Sequence, residues 1–226
     1  MPRICTLFLV VICLCAASCV SKKPKILIIG DSISMGYTPY VKNQLRKKAR
    51  VYHNSGNAQH TTKGLKNIEH WVTKEKWEII QFNWGLWDIC YRDNKRKYPD
   101  NKDKINGIIT TSKLEYANNL DSIVSLIQNS TQAQLIFVTT TFVPAENIGR
   151  YSNDVILYND TAKTIMNKHE VIVNDIYQKS KSIHDQFSFK EDDVHFSSTG
   201  YKMIGAHVSA TLEKLLAKTS PSDSIK

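Results

Sequence analysis

Short runs of apolar residues recur along the chain and predict five buried strands. The runs lie at 26–29, 51–53, 79–82, 135–140 and 171–174, and Ile, Val, Leu and Phe make up most of them. A continuous apolar run, without strict alternation of polar residues, is typical of a parallel strand that is covered on both faces. The pattern therefore predicts a sheet buried in the middle of the molecule.

Segments with helical spacing of apolar residues separate these strands. They lie at 40–50, 63–72, 114–128 and 152–168, and a last one covers 199–216. Strands that alternate with helices in this way predict a three-layer α/β/α sandwich with a five-stranded parallel sheet. Ligands bind beyond the carboxyl ends of the strands in such sheets. Ser32, Gly56 and Asn83 each follow a predicted strand, so we expect all three at that edge.

The 226 residues are enough for one domain with a full sheet-centred core. Arg3 followed by an apolar stretch at 4–20 indicates an export signal, which we place at 1–18. Cleavage after Ser18 and lipidation of Cys19, which would anchor the protein to a membrane, are both compatible with the pattern. The protein is therefore expected to be secreted, periplasmic or lipid-anchored. The folded domain is predicted at 25–217, and a disordered tail at 218–226.

Cysteine and charge exclude several classes of protein. Cys90 is the only cysteine after Cys19, which excludes a disulfide framework and a metal site built from cysteines. No pair of histidines has the spacing of metal ligands, so no metal is expected. The formal net charge is +9, but no nucleic-acid-binding signature is present, and we expect no nucleic acid partner. The basic clusters at 42–50 and 92–104 indicate either a solvated surface or attraction to an acidic polysaccharide.

The chemistry is expected at the two ends of the domain. Ser32 stands directly after the first strand in the segment Gly30-Asp31-Ser32, and Asp192 precedes His195 by three residues. A hydroxyl, an imidazole and a carboxylate are the parts of an activated serine nucleophile. Ser34 is the alternative nucleophile and Asp193 the alternative carboxylate. Asp31 is expected to pin the turn by accepting backbone N–H groups.

These motifs resemble those of the SGNH (GDSL-type) hydrolases. The four blocks of that superfamily are matched in order by 30–33, 54–57, 83–88 and 192–195. The resemblance implies a flavodoxin-like fold with Ser32 as nucleophile, His195 as general base and Asp192 as the carboxylate that orients the imidazole. It also implies that the backbone N–H groups of Ser32 and Gly56 bind the oxyanion. No metal or organic cofactor is implied.

The third block departs from the family pattern Gly-x-Asn-Asp. It reads Gly85-Leu86-Trp87-Asp88, so that Trp87 stands where the family has an oxyanion-binding Asn. Asn83 lies close by, and we expect it to supply the missing amide. Trp84 and Trp87 could stack on a sugar ring or pack in the core. For Arg150, a salt bridge with a neighbouring helix is expected, with binding of an anionic group as the alternative.

Together these features predict an exported serine esterase that deacetylates carbohydrate. A lipid or short-chain esterase is the first alternative. The second is a carbohydrate-binding protein that kept the scaffold and lost efficient chemistry, which the substitution by Trp87 motivates. The long connection at 89–112 is expected to be a lid, a wall of the substrate site or a plain surface insertion.

Overall fold

The computed structural model describes residues 22–219. The predicted signal peptide at 1–18, Cys19 and residues 220–226 of the predicted tail lie outside the described residues. The strands are β1 (Lys25–Ile29), β2 (Arg50–His53), β3 (Ile79–Phe82), β4 (Tyr91–Arg92), β5 (Ile108–Ile109), β6 (Gln134–Val138) and β7 (Ile172–Asn174). The helices are α1 (Ser32–Leu45), α2 (Thr61–Val72), α3 (Lys113–Ser130), α4 (Ser152–Lys168), α5 (Tyr177–Phe187) and α6 (Ser198–Thr219).

A five-stranded parallel sheet forms the centre of the molecule, in the order β2-β1-β3-β6-β7. Ile26 of β1 is in register with Val51 of β2 on one side and with Ile79 of β3 on the other. The apolar residues that predicted the strands are buried, and several have no exposed surface, such as Phe82 and Phe137. The predicted five-stranded sheet is confirmed.

Helices cover both faces of the sheet, which confirms the predicted three-layer architecture. Helix α6 packs against α1 and α5, whereas α3 packs against α2 and α4. The chain order turns back at β1, which has β2 on one side and β3 on the other. The carboxyl ends of β1 and β3 therefore form the crevice in which open α/β sheets bind ligands.

Helix α1 begins eight residues before the predicted start at residue 40. Gly36 and Pro39 lie inside it, and both residues disfavour helix in isolation. Packing explains the glycine, because a Cβ atom at Gly36 would lie 2.3 Å from the ring of Tyr201 in α6. The close approach of α6 thus requires a residue without a side chain in α1.

Three further differences concern α5, α6 and the small sheet. Helix α5 was not predicted, and β4 and β5 form an antiparallel pair inside the long connection at 89–112. Helix α6 continues to Thr219, so the predicted tail begins with two helical residues. Among the described residues, no helix combines the length and the apolar character needed to cross a membrane.

Candidate active site

Ser32 is placed by the turn that joins β1 to α1. The N–H of Gly30 donates to Oδ1 of Asn54 at 3.0 Å, which ties the end of β1 to the loop after β2. Asp31 caps α1, since its Oδ1 accepts the N–H of Ile33 at 2.9 Å, as expected from the sequence. Ser32 is then the first residue of the helix. Its N–H has no intrahelical acceptor, and a helix N-terminus favours negative charge.

His195 lies three residues before α6 and reaches Ser32. Its Nε2 is 2.9 Å from Oγ of Ser32, and its Nδ1 is 2.5 Å from Oδ1 of Asp193. The same carboxylate oxygen accepts the backbone N–H of His195 at 2.9 Å. A proton on Nδ1, held by the carboxylate, leaves Nε2 free to accept the proton of the hydroxyl. The convergence of Ser32 and His195 is as predicted.

The expectation that Asp192 orients the imidazole is wrong, because Asp193 makes that contact. Asp192 is exposed, and only its main-chain carbonyl is held, by Nδ2 of Asn147 at 2.9 Å. The carbonyl of Asp193 accepts a hydrogen bond from Nε2 of His184 at 2.7 Å. These two contacts fix the loop so that the side chain of Asp193 meets the ring of His195.

The electrostatics of Asp193 suit this arrangement. Burial favours the neutral carboxyl, but the backbone N–H and the ring of His195 outweigh it and lower the pKa of Asp193 below its usual value. Asp193 is therefore ionised at neutral pH. An ionised carboxylate beside Nδ1 stabilises the imidazolium that forms when His195 takes a proton.

Ser34, the alternative nucleophile, has a different environment. It is only 1% exposed, and its Oγ donates to the carbonyl of Asp31 at 2.7 Å. A second imidazole, that of His53, lies 2.7 Å from the same oxygen. The hydroxyl of Ser34 is therefore buried and fixes the start of α1, whereas Ser32 is partly exposed.

Ser32 and His195 open into a cleft of about 140 Å³. Its wall is formed by residues from four loops together with the two reactive groups: Ser32, Asn57, Leu86, Trp87, Arg92, Tyr98, Lys102, Arg150, Val194 and His195. The connection at 89–112 thus contributes a wall of the site, which was one of its three expected roles. Asn57, Trp87, Arg92 and Tyr98 also line a neighbouring cavity of about 460 Å³.

The sequence matches no protein-family model, and no curated protein is significantly similar to it. Solved structures match over most of the chain. A lipase/acylhydrolase from Enterococcus faecalis is 20% identical, with a TM-score of 0.67, over 89% of this chain and 100% of that one. An acetylxylan esterase from Geobacillus stearothermophilus, solved as a catalytic mutant, is 17% identical, with a TM-score of 0.65, over 82% and 92%. A member of the lipolytic G-D-S-L family from Veillonella parvula is 18% identical, with a TM-score of 0.60, over 84% and 98%. The chain has the SGNH hydrolase fold.

Asn83 does not take the place of the amide that the SGNH pattern has in its third block. Its Nδ2 donates to the carbonyl of Val138 at 2.7 Å, which joins the ends of β3 and β6. Its side chain lines a small internal cavity with Asp31 and Ser34 and is absent from the wall of the cleft. The expectation that Asn83 binds the oxyanion is therefore not supported by the geometry.

The second SGNH block contributes Asn57 to the cleft instead of Gly56. Gly56 is exposed, has a φ of +71° and is absent from the wall, contrary to expectation. Oδ1 of Asn57 accepts the N–H of Gln59 at 2.8 Å, which leaves its Nδ2 as the donor available to a ligand. Sequence reasoning missed this residue, although it adjoins the predicted glycine in the same block.

The two tryptophans of the third block have different environments. Trp84 is 1% exposed and packs beside Phe82, so the expectation that it binds substrate is wrong. Trp87 lines the cleft as expected. Its ring stacks on Tyr98 with 6.1 Å between centroids, and the guanidinium of Arg92 lies 4.9 Å from its centroid. The cleft therefore has one wall of flat aromatic and cationic groups.

Arg150 is held against the third block by a hydrogen bond. Its Nε donates to the carbonyl of Leu86 at 2.6 Å, and the residue is only 4% exposed. The expected salt bridge with a neighbouring helix is absent from residues 22–219, and Nη1 of Arg150 is buried without a hydrogen-bond partner. This leaves a cation with unused donors beside the reactive groups.

Proposed function

We propose that this protein is an exported serine ester hydrolase that removes acetyl groups from carbohydrate through a seryl acyl-enzyme. The observation that carries the proposal is the chain of contacts from Ser32 through His195 to Asp193 at the wall of an open cleft. The SGNH fold shared with acylhydrolases and an acetylxylan esterase supports it.

The geometry supports a two-step reaction. Oγ of Ser32 attacks the ester carbonyl while Nε2 of His195 accepts its proton, and Asp193 stabilises the resulting imidazolium. The tetrahedral oxyanion is bound by the N–H of Ser32 and Nδ2 of Asn57. His195 then returns the proton to the leaving sugar oxygen, which departs as the alcohol. Water, deprotonated by His195, attacks the acyl-serine and releases acetate, and the proton returns to Ser32.

The character of the cleft supports a carbohydrate ester. Trp87 and Tyr98 present flat aromatic surfaces beside the nucleophile, and such surfaces suit the apolar face of a sugar ring. A wall rich in polar side chains suits an acetyl group better than a fatty acyl chain. The predicted export signal suits a substrate outside the cell.

A carbohydrate-binding protein without efficient chemistry is the second candidate. Trp87 at the position of the family Asn favours it, since the loss of one oxyanion donor lowers turnover by about 10²–10³. The contacts of His195 with Ser32 and with Asp193 favour the esterase, because sugar binding alone requires neither of them.

Acetate release from acetylated xylo-oligosaccharides by the wild type and by Ser32→Ala tests the proposal. The variant should lose all hydrolysis and keep the wild-type unfolding temperature, because it removes one partly buried hydroxyl. Ser55→Ala, in the exposed loop after β2, is the matched control and should keep full activity. Equal activity in the wild type and Ser32→Ala would refute the hydrolase. Sugar binding by a wild type that releases no acetate would favour the binding protein.

A further inference from the structure

The charged residues that line the cleft are all cationic or able to become so. Arg92, Lys102, Arg150 and His195 contribute to its wall, and neither Asp nor Glu does. The whole chain has 30 Lys and Arg against 21 Asp and Glu, so acidic residues are common elsewhere. The wall of the cleft thus has positive charge without an acidic residue beside it.

Arg92, Arg150 and Lys102 differ in how many hydrogen bonds and ion pairs they form within the protein. Nε of Arg92 donates to Thr110, and its Nη1 donates to Oδ1 of Asn101. Arg150 has a single bond, to the carbonyl of Leu86, and a buried Nη1 with no partner. Within residues 22–219, Lys102 forms no ion pair. Arg150 and Lys102 therefore have donors to spare.

The nearby carboxylates are already engaged. Asp31 and Asp193 attract Arg150 electrostatically. Oδ1 of Asp31 accepts the N–H of Ile33, however, and Asp193 holds His195. A buried guanidinium with an unpartnered Nη1 is costly, whereas two parallel N–H donors suit a carboxylate. An anion that enters the cleft would complete the coordination of Arg150.

We propose that Arg150 and Lys102 bind an anionic group on the sugar that carries the ester, so that the substrate is an acetylated acidic saccharide. The ester in this inference rests on the proposed function, whereas the binding of the anionic group does not depend on it. Trp87 would support the ring of the sugar, while the guanidinium of Arg150 would bind its carboxylate. Charge-assisted hydrogen bonds of this kind raise affinity by about tenfold to a hundredfold.

The test uses a pair of sugars that differ only in charge. Methyl glucuronoside carries a carboxylate, and its uronamide has nearly the same shape without the charge. Titration of the intact protein with each sugar, followed by calorimetry or NMR, measures the anion site without any hydrolysis. We expect the acid to bind at least tenfold more tightly than the amide, with the difference shrinking as ionic strength rises.

Variants then locate the site. Arg150→Gln should abolish the preference for the acid, and Lys102→Gln, which lies on the loop and leaves the core intact, should reduce it severalfold. Lys47→Gln removes the same charge beyond the far end of α1, roughly 20 Å from Ser32 along the helix, and should leave the preference unchanged. Should Arg150→Gln fail to fold, Lys102→Gln alone still tests the proposal.

Acetate release from the acetylated acid and the acetylated amide separates this inference from the proposed function. Hydrolysis of both esters at equal kcat/KM, together with equal binding of the two sugars, would overturn the anion site and leave the esterase intact. Preferred binding of the acid without any hydrolysis would support the anion site and refute the esterase. A loss of kcat in Arg150→Gln that is the same for both esters, with the binding preference retained, would assign Arg150 to the oxyanion and overturn the inference.

Discussion

Substitution of the two adjacent aspartates gives the sharpest test of the site. Asp193→Ala removes the carboxylate that accepts both Nδ1 and the backbone N–H of His195. Asp192→Ala removes an exposed carboxylate next to it and leaves intact the main-chain carbonyl that binds Asn147. The pair is closely matched, since both variants remove one charge from the same loop.

The expected magnitude follows from what the imidazole loses. Without Asp193, no group holds the proton on Nδ1, and the imidazolium has no counter-ion at 2.5 Å. Loss of the carboxylate from comparable triads lowers kcat by about 10⁴. We expect a loss of about 10³–10⁴ for Asp193→Ala, or about 4–5.5 kcal/mol in the barrier. Asp192→Ala should change kcat by less than about twofold, because its side chain contacts no reacting group.

Single-turnover and steady-state release of acetate measure these effects, with thermal unfolding as the control for folding. Asp193→Asn adds a stricter comparison. Its amide can donate to Nδ1 and so favour the tautomer with the proton on Nε2, which cannot accept the proton of Ser32. A larger loss in Asp192→Ala than in Asp193→Ala would refute the assignment drawn from the structure.

Four further substitutions test other residues of the site and the core. Asn57→Ala should lower kcat by about 10²–10³ with little change in KM, which acetate release measures. Asn83→Ala should instead cost about 1–2 kcal/mol of stability, because it loses its hydrogen bond to Val138. Urea unfolding measures this second effect. Burial raises the pKa of Asp88 to about 7, well above about 3.9 in the unfolded chain. The folded state then binds the extra proton, so the contribution of Asp88 to stability should fall as pH rises from about 4 to about 7. The stability of the wild type relative to Asp88→Asn should fall over the same range in urea unfolding. Trp84→Ala should cost about 3–5 kcal/mol of stability as a core truncation, measured by the same unfolding.

Each of these predictions has a contrary outcome. A larger fall in kcat for Asn83→Ala than for Asn57→Ala would return the oxyanion role to Asn83. Wild-type stability that rises relative to that of Asp88→Asn between pH 4 and 7 would contradict the neutral state of Asp88. A Trp84→Ala variant with unchanged stability and weakened sugar binding would show that this ring meets the substrate.

The strands and the position of Ser32 could be predicted because they depend on local pattern. An apolar run such as Ile26 to Ile29 is buried wherever it lies in a domain, and the residue after it must emerge at the sheet edge. The first turns of helix α1 could not be predicted, because Gly36 and Pro39 disfavour helix locally. Only the packing of Tyr201 against α1 explains the glycine. Helix α5 was not predicted because it is mostly polar, and its buried residues are Ser180, Ile183 and His184.

The errors at the site have one physical origin, which is a contact with a distant part of the chain. Asp192 and Asp193 are both near enough to His195 in sequence, and Asn147 and His184 decide between them. The amide of Asn83 donates a hydrogen bond to the carbonyl of Val138, 55 residues away, and no local motif reveals this bond. The guanidinium of Arg150 reaches Leu86 across 64 residues. Sequence spacing identified the right blocks, while long-range packing selected the residue within each block.

The packing of α1 against α6 has a consequence for when the protein can first react during its synthesis. Ser32 begins α1, and His195 lies three residues before α6, so the two residues are 163 positions apart in the chain. A nascent chain that has exposed everything up to α5 still lacks the imidazole and the helix that braces it. The hydroxyl of Ser32 therefore has no base beside it until the segment after α5 has been made and has folded, and a chain truncated after α5 would keep Ser32 without the imidazole.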